Sequence, residues 1–346
     1  MVLYNRINGK VLKENMLRSH EIRVTLSFYK YHHLSDPQAF RDELFKLWNE
    51  LGVLGRTYVA AEGINAQISV PQSRFKEFRD HLYSYPFLNG IRLNIAVEDN
   101  GKSFFKLKIQ VKHKILADGL DDASFDVTNS GKHLKAKEFN ALAERDDTVI
   151  IDMRNHYESE VGHFKNAITP DVDTFRDSLP VVEEILKPHR EKNIIMYCTG
   201  GIRCEKASAW FKHRGFKNIF QLEGGIIEYA RQAQEEGLEN KFIGKNFVFD
   251  ERLGERISEE VISHCHQCGE PCDTHTNCKN DGCHLLFIQC EKCKAKYDAC
   301  CSTKCADIIQ LPEEKQKEIR KGINNGRQVF KKGRAGHLIE KLKLHS

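Results

Sequence analysis

Asn193-Ile-Ile-Met-Tyr-Cys-Thr-Gly-Gly-Ile-Arg203 decides how the middle of this chain folds. Asn193 to Tyr197 is a short apolar run of the kind a buried strand carries, and Arg203 to Arg214 places Ala207, Trp210 and Phe211 at helical spacing. The residues between must turn a strand end into a helix start. Gly200 and Gly201 let that turn point its amides inward, as anion-cradling nests do. Those amides, the helix N-terminus and Arg203 all favour a thiolate on Cys198. Thr199, Gly200, Gly201 and Ile202 would then form a cradle for an anionic group carried on its sulfur. Cys204 either resolves an oxidised Cys198 or faces the core.

Working outward, Thr148 to Asp152 and Asn218 to Leu222 repeat the short apolar pattern, with helical segments between them. Strands separated by helices imply a parallel sheet, in which sites lie beyond the carboxyl ends of the strands. Asp152 and Cys198 both fall at such ends, so Asp152 joins Cys198, Arg203 and Cys204 as a candidate catalytic residue, with capping or pairing as its structural role. His163 reads as a core histidine satisfied by backbone.

Before this segment, Arg23 to Tyr31 is β-branched and aromatic, and Asp36-Pro37 signals a helix start. Phe40, Leu44, Leu47, Trp48 and Leu51 recur at three and four. Strands over 56–61 and 65–70, a helix over 73–83 and a strand over 91–97 complete the order βαββαβ, that of a ferredoxin-like sandwich. Phe28, Tyr29, Tyr31, Phe104 and Phe105 suit either base stacking or core packing.

Ten of the twelve cysteines lie between Cys265 and Cys305. Cys265-x2-Cys268 and Cys290-x2-Cys293 are knuckle pairs with zinc-ribbon spacing. Cys278, Cys283, Cys301 (or Cys300) and Cys305 supply a second set of four. An iron–sulfur cluster uses the same ligands.

The 346 residues exceed one compact core, and 40% apolar with 29% charged residues marks a globular protein. The expected architecture is therefore α/β and multi-domain. A ferredoxin-like domain takes residues 1–118, a parallel-sheet domain 119–244, and a Cys-rich zinc module with a basic helical tail 245–346. No apolar run reaches membrane-spanning length, and Met1 to Lys13 lacks a signal-peptide core, so a reducing cytoplasm is expected. Net charge is only +4, but Lys102, Lys106, Lys108, Lys112 and Lys114 cluster, and 312–346 holds ten Lys/Arg against four Glu. These stripes suit RNA contact or simply a solvated strand face and tail.

Ile150-Ile-Asp-Met-Arg-Asn155, Glu158, Gly162-His163, Asn166-Ala167, the Cys198 loop and Leu222-Glu-Gly-Gly225 resemble, in order, the motifs of rhodanese domains. The resemblance implies Cys198 as a persulfide carrier stabilised by the loop amides and Arg203. Four residues separate Cys198 from Arg203, one fewer than in the related phosphatases, which favours sulfur chemistry. Ser27 to Tyr31, Glu62 to Ala66, Gly200 to Lys206, Gly244 to Asp250 and His264 to Cys268 further resemble the bacterial tRNA uridine hydroxylases. That resemblance implies oxygen-dependent conversion of a wobble uridine to 5-hydroxyuridine, a tRNA anticodon loop as partner, zinc, molecular oxygen as co-substrate and a sulfur donor or reductant. No flavin or haem motif is present. A thiosulfate-type sulfurtransferase or sulfur-relay protein, or an RNA-binding zinc protein, are the other readings the residues permit.

Overall fold

The computed structural model describes residues 7–122, 124–322 and 329. Helix α1 (Gly9–Arg18) leads into β1 (Arg23–Tyr31), α2 (Pro37–Glu50), β2 (Leu54–Ala60), β3 (Gly63–Pro71), α3 (Phe75–Ser84) and β4 (Asn94–Ile95). The sheet runs β4-β1-β3-β2, antiparallel throughout, which is the ferredoxin-like order. The Asp36 side chain caps α2 by accepting from the Ala39 amide at 2.9 Å, with Pro37 in the first turn.

Strand alternation sorts the residues of β1. Leu26 and Phe28 join Leu44, Trp48, Phe78 and Leu82 in one core, while Ser27 and Tyr29 turn to the opposite face. The strand expected over 91–97 shrinks to Asn94–Ile95. Beyond Ala96, the Asp99 carboxylate accepts the Thr25 N–H at 2.5 Å and replaces the ladder. The lysine-rich stretch supplies a further strand, β5 (Leu107–Val111), parallel to β2. It buries Leu107 and Ile109 and leaves Lys108 in water.

Strand β6 (Lys132–Leu134), α4 (Ala136–Ala143), β7 (Thr148–Asp152), α5 (His156–Ser159), β8 (Gly162–Phe164), α6 (Phe175–Leu186), β9 (Asn193–Tyr197), α7 (Ile202–His213), β10 (Ile219–Leu222) and α8 (Gly225–Glu236) follow. The sheet β6-β10-β9-β7 is wholly parallel. Both faces are covered: Ile151, Ile194 and Met196 pack with Phe175, Leu179 and Phe211, and Ile150, Ile195 and Tyr197 pack with Phe139 and Tyr229.

Strand β11 (Phe242–Asn246) pairs with β8 and with β12 (Glu255–Arg256), so position 244 lies inside a strand shared with the middle segment. A hairpin of β13 (His275–Asn277) and β14 (Leu286–Ile288) then precedes α9 (Glu291–Lys296), α10 (Thr303–Ile309) and α11 (Glu313–Arg320). Helix α11 begins the expected basic tail. Apart from Val329, the tail beyond Gly322 lies outside the described residues.

Candidate active site

The Cys198 loop is held from two directions. Gly201 caps α7 with φ +98°, and its amide donates to Cys198 Sγ at 3.2 Å. At the N-terminus of α8, the Ile226 and Ile227 amides donate to the carbonyls of Cys198 and Thr199 at 3.0 and 3.3 Å. Gly225 is required there, because at φ +69° a Cβ would stand 2.5 Å from Cys198 O. The Leu222-to-Gly225 motif thus clamps the reactive loop.

Burial pushes the Cys198 thiol up, but four interactions outweigh it: a hydrogen bond from the Cys204 thiol, the Arg203 charge, and the Cys204 and Gly201 amides. The pKa falls to about 6. Cys198 is therefore a thiolate at neutral pH. Burial, together with the neighbouring thiolate, keeps the Cys204 thiol protonated. Arg203 is locked by a bidentate pair with the fully buried Glu158, at 2.6 and 2.8 Å. The Glu158 Oε1 also accepts the Asn155 amide at 3.0 Å, which fixes the carboxylate at the start of α5.

A cavity of about 820 Å³ opens on Cys198, Thr199, Gly200, Ile202 and Arg203. Its opposite wall is the outer face of the ferredoxin-like sheet, with Ser27, Tyr29, Asn65, Gln67 and Asn94. Phe249, Arg252 and Glu255 close a third side. Exposed Arg56 and Arg176 add positive charge. The volume lies in the range of small-molecule sites. The walls are tied together by Lys206, almost fully buried. Its ammonium pairs with Asp118 at 2.6 Å and Glu62 at 2.9 Å, and sits 5.2 Å from the Tyr31 ring centre.

Asp152 makes the pairing that the sequence reading named as its structural role. Although it ends a strand, its buried carboxylate pairs with Arg154 at 2.6 Å and accepts from the Tyr197 hydroxyl at 2.7 Å, and it does not line the cavity. Register explains this: Asp152 lies beside Tyr197 in the parallel ladder, on the face opposite Met196 and Cys198. Cys204 touches Cys198 but does not line the cavity either. The His163 ring lies against the Phe164 carbonyl at 3.0 Å. Of the aromatics, Tyr31 is engaged by Lys206, whereas Tyr29 and the more deeply buried Phe28 and Phe104 contribute to the cavity lining.

The cysteines form two groups of four: Cys265, Cys268, Cys290 and Cys293, and Cys278, Cys283, Cys301 and Cys305, the sulfurs of each lying within 4.8 Å of one another. Cys268–Cys290, Cys283–Cys301 and Cys301–Cys305 are 3.6, 3.7 and 3.8 Å apart. A tetrahedron of thiolates about 2.3 Å from a zinc ion has edges of about 3.8 Å, so both sets fit that ion. Amides of Cys290 and Cys301 approach Cys265 and Cys278 at 3.4 and 3.5 Å. Cys272 and Cys300 stand outside both groups, so Cys301 rather than Cys300 completes the second.

A parallel α/β domain with a thiolate at a strand end, cradled by loop amides and an arginine, defines a rhodanese-type cysteine site. Comparison with known proteins agrees. Residues 135–232 match the model of the rhodanese-like domain, 23–115 that of the UPF0176 acylphosphatase-like domain, and 243–306 that of the rhodanese C-terminal region. A tRNA uridine(34) hydroxylase of Enterobacter sp. (strain 638) is 59% identical over 342 residues, 99% of this chain and 98% of that one. The tRNA uridine(34) hydroxylase of Salmonella gallinarum is 59% identical over 344 residues, with the same coverage. A rhodanese-like domain protein of Staphylococcus aureus is similar over 28% of this chain and 90% of its own, at 22% identity and a TM-score of 0.24. The chain belongs to the tRNA uridine(34) hydroxylase family.

Proposed function

We propose that the protein hydroxylates the uridine at position 34 of tRNA, giving 5-hydroxyuridine with molecular oxygen as co-substrate. The single observation that carries this reading is the low-pKa thiolate of Cys198, which opens on a cavity of nucleoside-binding size. Full-length similarity to proteins named for that activity supports it.

The target base leaves its stack and enters the cavity, as base-modifying enzymes require. Arg56 and Arg176 take backbone phosphates. Cys198 adds through sulfur to C6 of the ring, which pushes electron density onto C5, where oxygen is introduced. Loss of the C5 proton and expulsion of the Cys198 thiolate restore the ring. The overall balance is uridine, one oxygen molecule, two electrons and two protons to hydroxyuridine and water, with the electrons supplied by a thiol reductant. Arg203 and the amides of residues 199–202 stabilise the sulfur anion on departure, Cys204 hydrogen-bonds it, and Asp152 holds Arg154 and Tyr197 behind the loop.

The two four-cysteine groups would each hold a structural zinc ion, bracing the wall that Phe249 and Arg252 contribute. Chain segments 1–118, 119–244 and 245–346 act as RNA-positioning domain, rhodanese domain and zinc module, in the cytoplasm, where tRNA is modified. No helix among the described residues is long and apolar enough to cross a membrane.

The test is mass spectrometry of tRNA nucleosides from a strain lacking the gene, complemented with wild type or Cys198→Ser. Hydroxyuridine should return only with wild type. Its return with Cys198→Ser would remove the thiol from the mechanism.

A further inference from the structure

Asn94 is an inner residue of the cavity that the chemistry above does not use. It lies on β4, is 3% exposed, and reaches across from the ferredoxin-like sheet to the reactive loop, where its Nδ2 donates to the Gly200 carbonyl at 3.2 Å. A carbonyl can only accept, so the amide nitrogen must face it, and the orientation of the Asn94 amide is thereby fixed. Its other atom, Oδ1, is buried without a hydrogen-bond partner. A buried acceptor left unmatched beside a binding cavity marks a place where a ligand donor belongs. Asn155 also lines the cavity with an unpartnered Oδ1, but its amide faces the Tyr157 hydroxyl, which can donate or accept and leaves that orientation open.

We infer that Asn94 is the residue that selects uracil, its Oδ1 accepting the N3–H of the target base. This rests on the hydroxylase reading and deepens it. Uracil presents a donor at N3 between two carbonyls, whereas cytosine presents a lone pair there. An acceptor that cannot rotate favours the first and repels the second. Because the same amide holds the Gly200 carbonyl, recognition of the base and placement of the Cys198 loop pass through one side chain. Sites built around a substrate N–H reject analogues lacking it strongly, because the protein acceptor is then buried unpaired.

The experiment uses full-length protein and tRNAs carrying uridine or N3-methyluridine at the target position. Binding is measured on Cys198→Ser protein, and single-turnover product formation on protein with Cys198 intact. With Asn94 present, N3-methylation should weaken binding at least about 10-fold and slow product formation at least about 100-fold. Asn94→Ala and Asn94→Ser should lower the rate on uridine by about 10- to 100-fold and shrink the methyl penalty to within about 5-fold. A methyl penalty in both variants as large as in wild type would overturn the assignment. So would equal losses on both tRNAs accompanied by a shifted Cys198 alkylation midpoint, which would mark a role in holding the loop alone. Base-selective binding without any hydroxylated product would instead count against the hydroxylase reading while upholding Asn94.

Discussion

Replacing Cys204 by Ala tests the electrostatics of the loop directly. The Cys204 thiol hydrogen-bonds the Cys198 sulfur, and Cys198 titrates at about 6. A hydrogen bond to a charged group contributes about 1.5–3 kcal/mol, or about one to two pKa units. Removing a stabiliser of the anion raises the pKa, so the Cys198 midpoint should move to between about 7 and 8. At pH 6 the thiolate fraction then falls from about a half to about a tenth or less, while at pH 9 both proteins are almost fully ionised. Cys204→Ser keeps a donor at the same place and should hold the midpoint near that of wild type. The assay is the rate of iodoacetamide labelling of the Cys198 peptide between pH 5 and 9, followed by mass spectrometry. An unchanged midpoint in Cys204→Ala, or equal shifts in Ala and Ser, would refute the bond and leave Arg203 with the Gly201 and Cys204 amides as the whole cause.

Lys206→Met should be among the costliest single changes, since it strips the shared cation from Asp118 and Glu62. Breaking so buried a network costs about 3–5 kcal/mol, visible as a lowered midpoint in urea unfolding. Elemental analysis of purified protein should find two zinc ions per chain. Cys290→Ser and Cys305→Ser should each remove one of them and lower the thermal midpoint, whereas Cys272→Ser should keep both.

Much of this was legible from the chain because the governing signals are local. An apolar run ending at Tyr197, two glycines and an arginine can only be a strand, a turn and a helix start. Pairs of cysteines with two residues between them mark the first four-cysteine group from spacing alone. What escaped was long-range. Glu158 and Arg203 are 45 residues apart, and Glu62 and Lys206 are 144 apart, with nothing at either position to announce its partner. Asn94 looked like an ordinary strand residue. For Asp152 the signal is local: counting alternation along Thr148–Asp152 against Asn193–Cys198 sets Asp152 on the face of Tyr197 and Cys198 on the other. Position at a strand end names the neighbourhood of a site, and parity decides which residues enter it.

The cavity has one further consequence. Its walls come from separate stretches of chain, the ferredoxin-like sheet and the Cys198 loop lying more than a hundred residues apart, and no one of them encloses the volume. A sulfur anion is hazardous in isolation, prone to alkylation and oxidation by whatever diffuses past. Here its shelter is a product of tertiary docking, so a nascent or clipped chain has no vessel for the nucleoside, and its nucleophile gains a protected working environment only when the molecule is whole.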